Sequence, residues 1–519
     1  MSLDPANFPP AQAWAPLKDD DWSLENARHL LHRIGFSATP DRVQLAYTQG
    51  LQDTLHQAFG IVRPFAEPES LGTLRQKRAE LVAQQQADNA AQAAATREGK
   101  AAAPASTALS PQRQLNMEIN QLERQAFLDY VQAWLAFSAK PENSAQENLV
   151  MFLGNVLVVG QSKVRDPQRL YAHANLLRTM FQKPYPDICK AVTYSPAMIQ
   201  YLDLNTSTVG VPNENYAREL MELFTLGEGN YTENDVKEAA RALSGIIVRQ
   251  QPLPEYGAFA RQRWDAKSKT IFGQTGNWGA ENVVDLIFQQ PASRTHLPRR
   301  FLAYFLSQEP LSAPYMEELG HQWRNAGWRV ESLASIVFSS NLFYRPEFRL
   351  ALVKTPIQYY LGLCQDLGLD VTPLEGQAFQ NLRAMGQEPF NPPNVRGWLG
   401  GKNWINSSTL AARRQLVQQM FNPNVNLRAL TADQQIKLKA ARAAGHGAIT
   451  VDNTRLQNLA DKSDDELTDA LLNFFLAGEV TTDYRNAILD YLQNDQGARL
   501  ELVREVAVAL FQSPEYHLC

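Results

Sequence analysis

NENYARELMELFTLGEGNYTENDVKEAARALSG, residues 213–245, is the stretch that decides the fold. At about 100° per residue, positions 213–227 sort into two arcs. Glu214, Asn215, Arg218, Glu219, Glu222 and Thr225 share one arc, and Tyr216, Ala217, Leu220, Met221, Leu223 and Phe224 fill the other. That is an amphipathic helix. Pro212 suits its first turn, and Gly227 and Gly229 suit its end. Thr232 with Asp235 reads as a capping box that opens a second helix, Glu233 to about Leu243. Its apolar stripe is Val236, Ala239, Ala240 and Leu243, and Ser244-Gly245 stops it.

Working outward, the helical period recurs over most of the chain. It predicts a mainly α fold, a large multi-helix domain with one small β-hairpin. Ser23 caps a helix running to about Gly35, Thr39-Pro40 starts the next, and another covers 51–59. Asn148–Val164 reads as a buried helix, although Val156–Val159 is β-branched. The hairpin is placed at 246–273, with Gln274–Trp278 as a turn. Three amphipathic helices close the chain. Residues 1–21 are proline-rich and read as a surface arm. Residues 22–519 read as one helical domain, interrupted at about 65–112 by a mobile Ala/Gln-rich insertion. A further helix is expected at 432–443.

The polar arc holds the groups able to do chemistry. Glu214, Arg218, Glu219 and Glu222 are the catalytic candidates, and Asn213 and Asn215 are binding candidates. Glu214–Arg218 and Arg218–Glu222 are i,i+4 pairs. Two readings stay open. One is a solvated face laced by weak ion pairs. The other is a cleft wall in which Arg218 holds Glu222 ionised and Glu214 or Glu219 serves as base or ligand. Both need the same face, so spacing does not separate them. In the second reading, basic residues from remote segments meet the acids: Arg28 or Arg33, Lys163, Arg165, and Arg396 with Lys402 from PFNPPNVRGWLGGKNW, residues 389–404. That loop needs burial for Trp398 and Trp404 and is a candidate wall over the cleft.

Composition narrows the classes. The chain has 519 residues, 44% hydrophobic and 20% charged, with a formal net charge of −5. This is an ordinary globular composition, and it argues against a nucleic-acid partner, which asks for a basic face. The three cysteines, Cys189, Cys364 and Cys519, lack metal or disulfide spacing. Cys189 and Cys364 read as small buried hydrophobes, and Cys519 as a loose terminal thiol. His29 and His32 are three apart, and packing is the preferred role for both. No metal and no cofactor is assigned. No apolar run is long enough to span a membrane. The opening MSLDPANFPPAQAWAPLKDDDW has no basic segment followed by an apolar one, so a cytoplasmic location is expected, with export alongside a partner left open. GxSxG, HExxH and GxGxxG are absent.

Several segments together carry a resemblance. ARHLLHRIGFSATPDRV (27–43), NVLVVGQSKVRDPQRLY (155–171), SPAMIQYLDLNTSTVGVPNENYAREL (195–220), KTIFGQTGNW (269–278), KTPIQYYLG (354–362), PPNVRGWLGGKNWINSSTLAARR (392–414) and LFQSPEYHL (510–518) stand in this order. With residues 213–245 they are similar to the bacterial domain of unknown function 1800 family. The resemblance covers nearly the whole chain outside 65–112. It implies no reaction. It implies a protein partner of the domain of unknown function 1501 type, whose genes often lie beside those of the family. The chain departs from the family's pattern at four places. A WHxH-like pair is replaced by Leu153-Gly154-Asn155-Val156, and a His-Asp pair by Trp264-Asp265. Phe224 stands where His is common, and Gln358 where Glu is. These departures weigh against a metal enzyme. The favoured expectation is a binding or assembly protein with a polar Glu/Arg/Asn cluster. The alternative is a hydrolase or transferase on an anionic or sugar-like substrate, with a Glu as general base.

Overall fold

The computed structural model describes residues 8–97, 111–251, 254–368, 377–421, 431–432, 435–436, 439, 453–495 and 497–519. Helices dominate, and the only strands among the described residues form two antiparallel pairs. Strand β1 (Ile246–Arg249) pairs with β2 (Tyr256–Phe259), and β3 (Lys269–Ile271) with β4 (Gln274–Gly276). The expectation of one hairpin is therefore corrected to two. The reason is local. Phe272 and Gly273 both take positive φ, 49° and 75°, as a two-residue hairpin turn requires. Asp235 of the preceding helix holds that turn by accepting the Phe272 N–H at 2.7 Å.

Caps fix several helix starts. The Ser23 hydroxyl accepts from Asn26 N, opening Leu24–Ile34. Thr232 and Asp235 form the expected capping box of Glu233–Ala242. Thr355 and Gln358 form another, opening Pro356–Leu367. The buried helix is shorter than its apolar length suggests: it runs Ser144–Val156, and the β-branched run after it is extended before a short turn at Gln161–Val164. Glu69–Arg97 and Pro111–Ser138 are long helices flanking residues 98–110, which lie outside the described residues, as does most of the expected helix at 432–443.

Two large apolar cores result, with a small third cluster of Ala27, Leu31, Ala38, Val43 and Ala46. The first gathers Leu30, Phe152, Leu220, Phe301 and Trp323, with Trp14 of the proline-rich arm buried among them. The Trp14 indole N–H reaches Tyr315 O at 2.8 Å. The second gathers Tyr130, Tyr359, Val417 and Phe511. Val159 and Tyr201 pack against both. The closing residues return to this framework: Cys519 is buried, and its backbone exchanges hydrogen bonds with Leu352. It is not the loose thiol expected of it. Cys189 and Cys364 are buried as expected.

Candidate functional site

The polar helix begins as expected and then changes pitch. Asn215–Glu219 is α-helical, but Leu220–Thr225 is a π turn. Leu226 N donates to Met221 O, five residues back, at 2.8 Å, and the Thr225 hydroxyl bonds the Leu220 carbonyl. The extra residue per turn breaks the 100° register on which the i,i+4 pairing of Arg218 with Glu222 rests. That pair does not form. Arg218 instead takes Glu233, in the first turn of the next helix, two-pronged at 2.7 and 2.8 Å, with Glu214 at 3.3 Å. Two-thirds of the Glu233 side chain is exposed, so this is a surface pair.

Glu222 turns the other way. Its carboxylate is 17% exposed and accepts from the Tyr231 hydroxyl at 2.8 Å and from Arg396 at 3.0 Å. Glu219 lies beside it, half-buried, and no hydrogen bond or ion pair holds it among the described residues. Burial, reinforced by the Glu222 charge, raises its pKa, and Arg396 and Arg218 only partly oppose this. Asn213 acts as a local brace: its Oδ1 accepts from Asn215 N at 2.9 Å, and its amide donates to Thr206 Oγ1 at 2.9 Å. The Asn215 amide reaches Leu202 O.

Of the remote basic residues, only Arg396 pairs with the acids of this helix. Lys163 pairs with Asp203 at 2.6 Å, and Arg165 and Lys402 are exposed. Arg28 donates to Asn473. Arg33 is 1% exposed and clamps four main-chain oxygens, those of Phe305, Leu306, Phe348 and Cys519, at 2.7–2.9 Å. It is spent on holding remote segments together. The expected convergence of Arg28, Arg33, Lys163 and Arg165 on Glu214–Glu222 is thus corrected. The spacing within each helix is sound, but their facing directions are set by packing that no local pattern records.

A cavity of about 270 Å³ lies between the two cores. Its walls come from Ser144–Val156, Pro167–Met180, Ser293–Phe305, the start of Pro356–Leu367 and the loop 389–404. The loop was expected as a wall over a cleft at the polar helix; it walls this cavity instead, which the polar helix does not line. It is stitched down along its length. Gln161 N donates to Phe390 O at 2.9 Å, and Ser162 N to Asn391 Oδ1 at 2.9 Å. The Asn155 side chain grips the Trp398 backbone from both sides, accepting at 2.7 Å and donating at 3.1 Å. Gly397 has φ 81°, and a Cβ there would stand 2.2 Å from Asn155 Oδ1, so glycine is required for this approach. Glu222, through Arg396, is the polar helix's hold on the same wall.

The charged side chains in the lining are all positive, and the negatively charged main-chain carboxylate of Cys519, which accepts from Arg33 at 2.8 Å, lines it too. Arg33, Arg178, Arg300 and Arg396 line the cavity, and no Asp or Glu does. Arg178 is neutralised two-pronged by Glu147 at 2.7 and 2.8 Å, both side chains fully buried. Arg300 meets only carbonyls: Asn155 O at 2.8 Å, Leu223 O at 3.3 Å and Arg396 O at 3.4 Å. Burial lowers its pKa. His173, also in the lining, bridges Ser195 Oγ and Leu157 O at 3.0 Å each, and burial lowers its pKa to about 4. It is a neutral packing residue.

Two of the four family-pattern departures, Leu153-Gly154-Asn155-Val156 and Gln358, sit here. Gly154, Val156 and Gln358 line the cavity. A Cβ built on Gly154 meets nothing within 4 Å. Gln358 serves the helix cap and donates to Asn148 Oδ1 at 3.1 Å. Phe224 is a core residue, and Asp265 pairs with Arg241 at 2.8 Å. No group of three or more His, Cys, Asp or Glu placed to hold a metal occurs among the described residues. Nor is any described helix long and apolar enough to cross a membrane.

Sequence reasoning missed Glu147, Tyr231, Glu233 and the pairing of Arg300. Glu147 carried a signal: a lone carboxylate in a helix apolar nearly all round needs a buried partner.

A family model described as "Protein of unknown function (DUF1800)" matches residues 29–518. The chain belongs to that family. No curated protein and no solved structure matches it.

Proposed function

We propose that the protein is a small-molecule binding protein whose ligand occupies the cavity between the two cores. In this reading the polar helix serves as the hold on the wall. The observation that carries it is the cavity: about 270 Å³, mostly apolar, with a few polar groups converging on it. That is the usual make-up of ligand sites, at the small end of their range. Neither Arg218 nor Glu219 lines it.

The test is a thermal-shift screen of a small-molecule panel on the wild type and on Gly154→Leu. Leucine at that open position fills the cavity and suits the helix. Compounds that raise the wild-type Tm by several degrees should leave Gly154→Leu unmoved. Compounds that stabilise both alike place the site elsewhere and contradict the reading.

A second reading, a hydrolase or transferase with a Glu general base, draws on one observation, the raised pKa of the unpaired Glu219. Glu219→Gln separates the two: ligands that stabilise it as they do the wild type clear Glu219 of direct involvement.

A further inference from the structure

We propose that the ligand is a carboxylate-bearing molecule with a compact apolar body. This rests on the cavity being the binding site and adds the chemical class.

Arg178 and Arg396 are answered by Glu147 and Glu222, and Arg33 by the main-chain carboxylate of Cys519. Arg300 is answered by no carboxylate among the described residues, only by three carbonyl oxygens. A guanidinium carries five N–H donors in a fixed fork matched to a carboxylate, and carbonyl dipoles alone leave its charge uncompensated in a partly dehydrated site. One further donor stands unused. Trp404 Nε1 is buried without a hydrogen-bond partner, on a side chain 6% exposed that lines the cavity. Buried N–H groups are nearly always satisfied, so unsatisfied ones in a cavity wall point to what is bound there. Both groups donate, and Arg300 leaves one positive charge of the lining unanswered, so the missing partner is an acceptor bearing negative charge. The rest of the wall, with Trp134, Val150, Phe152, Leu177 and Phe390, asks for an apolar body.

The experiment is calorimetric titration of octanoate and of 1-octanol into the full-length wild type, Arg300→Met and Trp404→Phe. The acid should bind the wild type at least tenfold tighter than the alcohol. Arg300→Met should abolish that preference and leave alcohol binding intact. Trp404→Phe, which removes one N–H and keeps the ring, should weaken the acid several-fold and spare the alcohol. If Arg300→Met does not fold, Trp404→Phe and the charge-keeping Arg300→Lys carry the test, the latter retaining the preference. Acid and alcohol binding alike, or falling together in these variants, overturns the carboxylate assignment and leaves the cavity reading standing. Failure of both probes on the wild type also overturns it, and the Gly154→Leu screen then judges the cavity on its own.

Discussion

Arg178–Glu147 and Arg218–Glu233 are the same interaction in two places. Each is a two-pronged guanidinium–carboxylate contact at 2.7–2.8 Å. The first is fully buried between two helices beside the cavity. The second lies on the surface, with one-third of the arginine and two-thirds of the glutamate exposed. Geometry does not distinguish them, but water does. In the interior, each partner is indispensable to the other, because a lone buried charge is strongly unfavourable. On the surface, solvent substitutes for either. The comparison teaches where function should be sought: neither where charges are answered inside nor where water answers them, but where donors inside remain unanswered, at Arg300 and Trp404.

The largest expected effect comes from breaking the interior pair. Glu147→Ala strands Arg178 and also the Trp134 indole N–H, which donates to Glu147 at 2.9 Å. The expected loss is about 3–5 kcal/mol in denaturant unfolding. A loss under about 1 kcal/mol would mean that water reaches this pair.

Next comes acid sensitivity. His173 has a folded-state pKa of about 4, below the ordinary histidine value, so the unfolded chain binds its proton more readily. Its contribution is full above about pH 6.5 and is lost as pH falls toward 4, up to about 3 kcal/mol. His173→Gln should flatten that part of the stability-against-pH curve. An unchanged slope would show that His173 is not the group responsible.

Glu222→Gln weakens the hold on the loop wall. It should cost about 0.5–1 kcal/mol and speed amide exchange across Arg396–Trp398, since Arg396 is largely exposed. The smallest effect is expected from Arg218→Met, within about 0.5 kcal/mol by thermal unfolding. A large effect there would erase the distinction between the two pairs.

How much of this was legible in the sequence follows the same line. The helix–glycine turn–helix at 213–245, the Thr232–Asp235 cap and the burial of Trp404 follow from local pattern, and the structure has them. The family also follows from ordered motifs. That the loop 389–404 is ordered was legible because tryptophans must be covered, but the cavity it walls was not, since its other walls come from remote helices. The site was less so. Periodicity places Glu214, Arg218, Glu219 and Glu222 on one face, but the π turn at Leu220–Thr225 turns Glu222 toward Arg396 and leaves Arg218 to the surface. Arg33 was offered as a partner for the acids of the polar helix, but four distant main-chain oxygens drew it inside. The fork turn at Phe272-Gly273 was hidden because phenylalanine rarely accepts positive φ, and Asp235 makes it tolerable.

The measurement that tests the account most directly is hydrogen–deuterium exchange with and without the panel compound that most raises the wild-type Tm. The account predicts protection on residues 150–156, 300–304 and 392–404, with Asn213–Arg218 and Glu233–Ala242 unchanged. Protection confined to the exposed face of the polar helix, with the cavity walls exchanging as before, would contradict it.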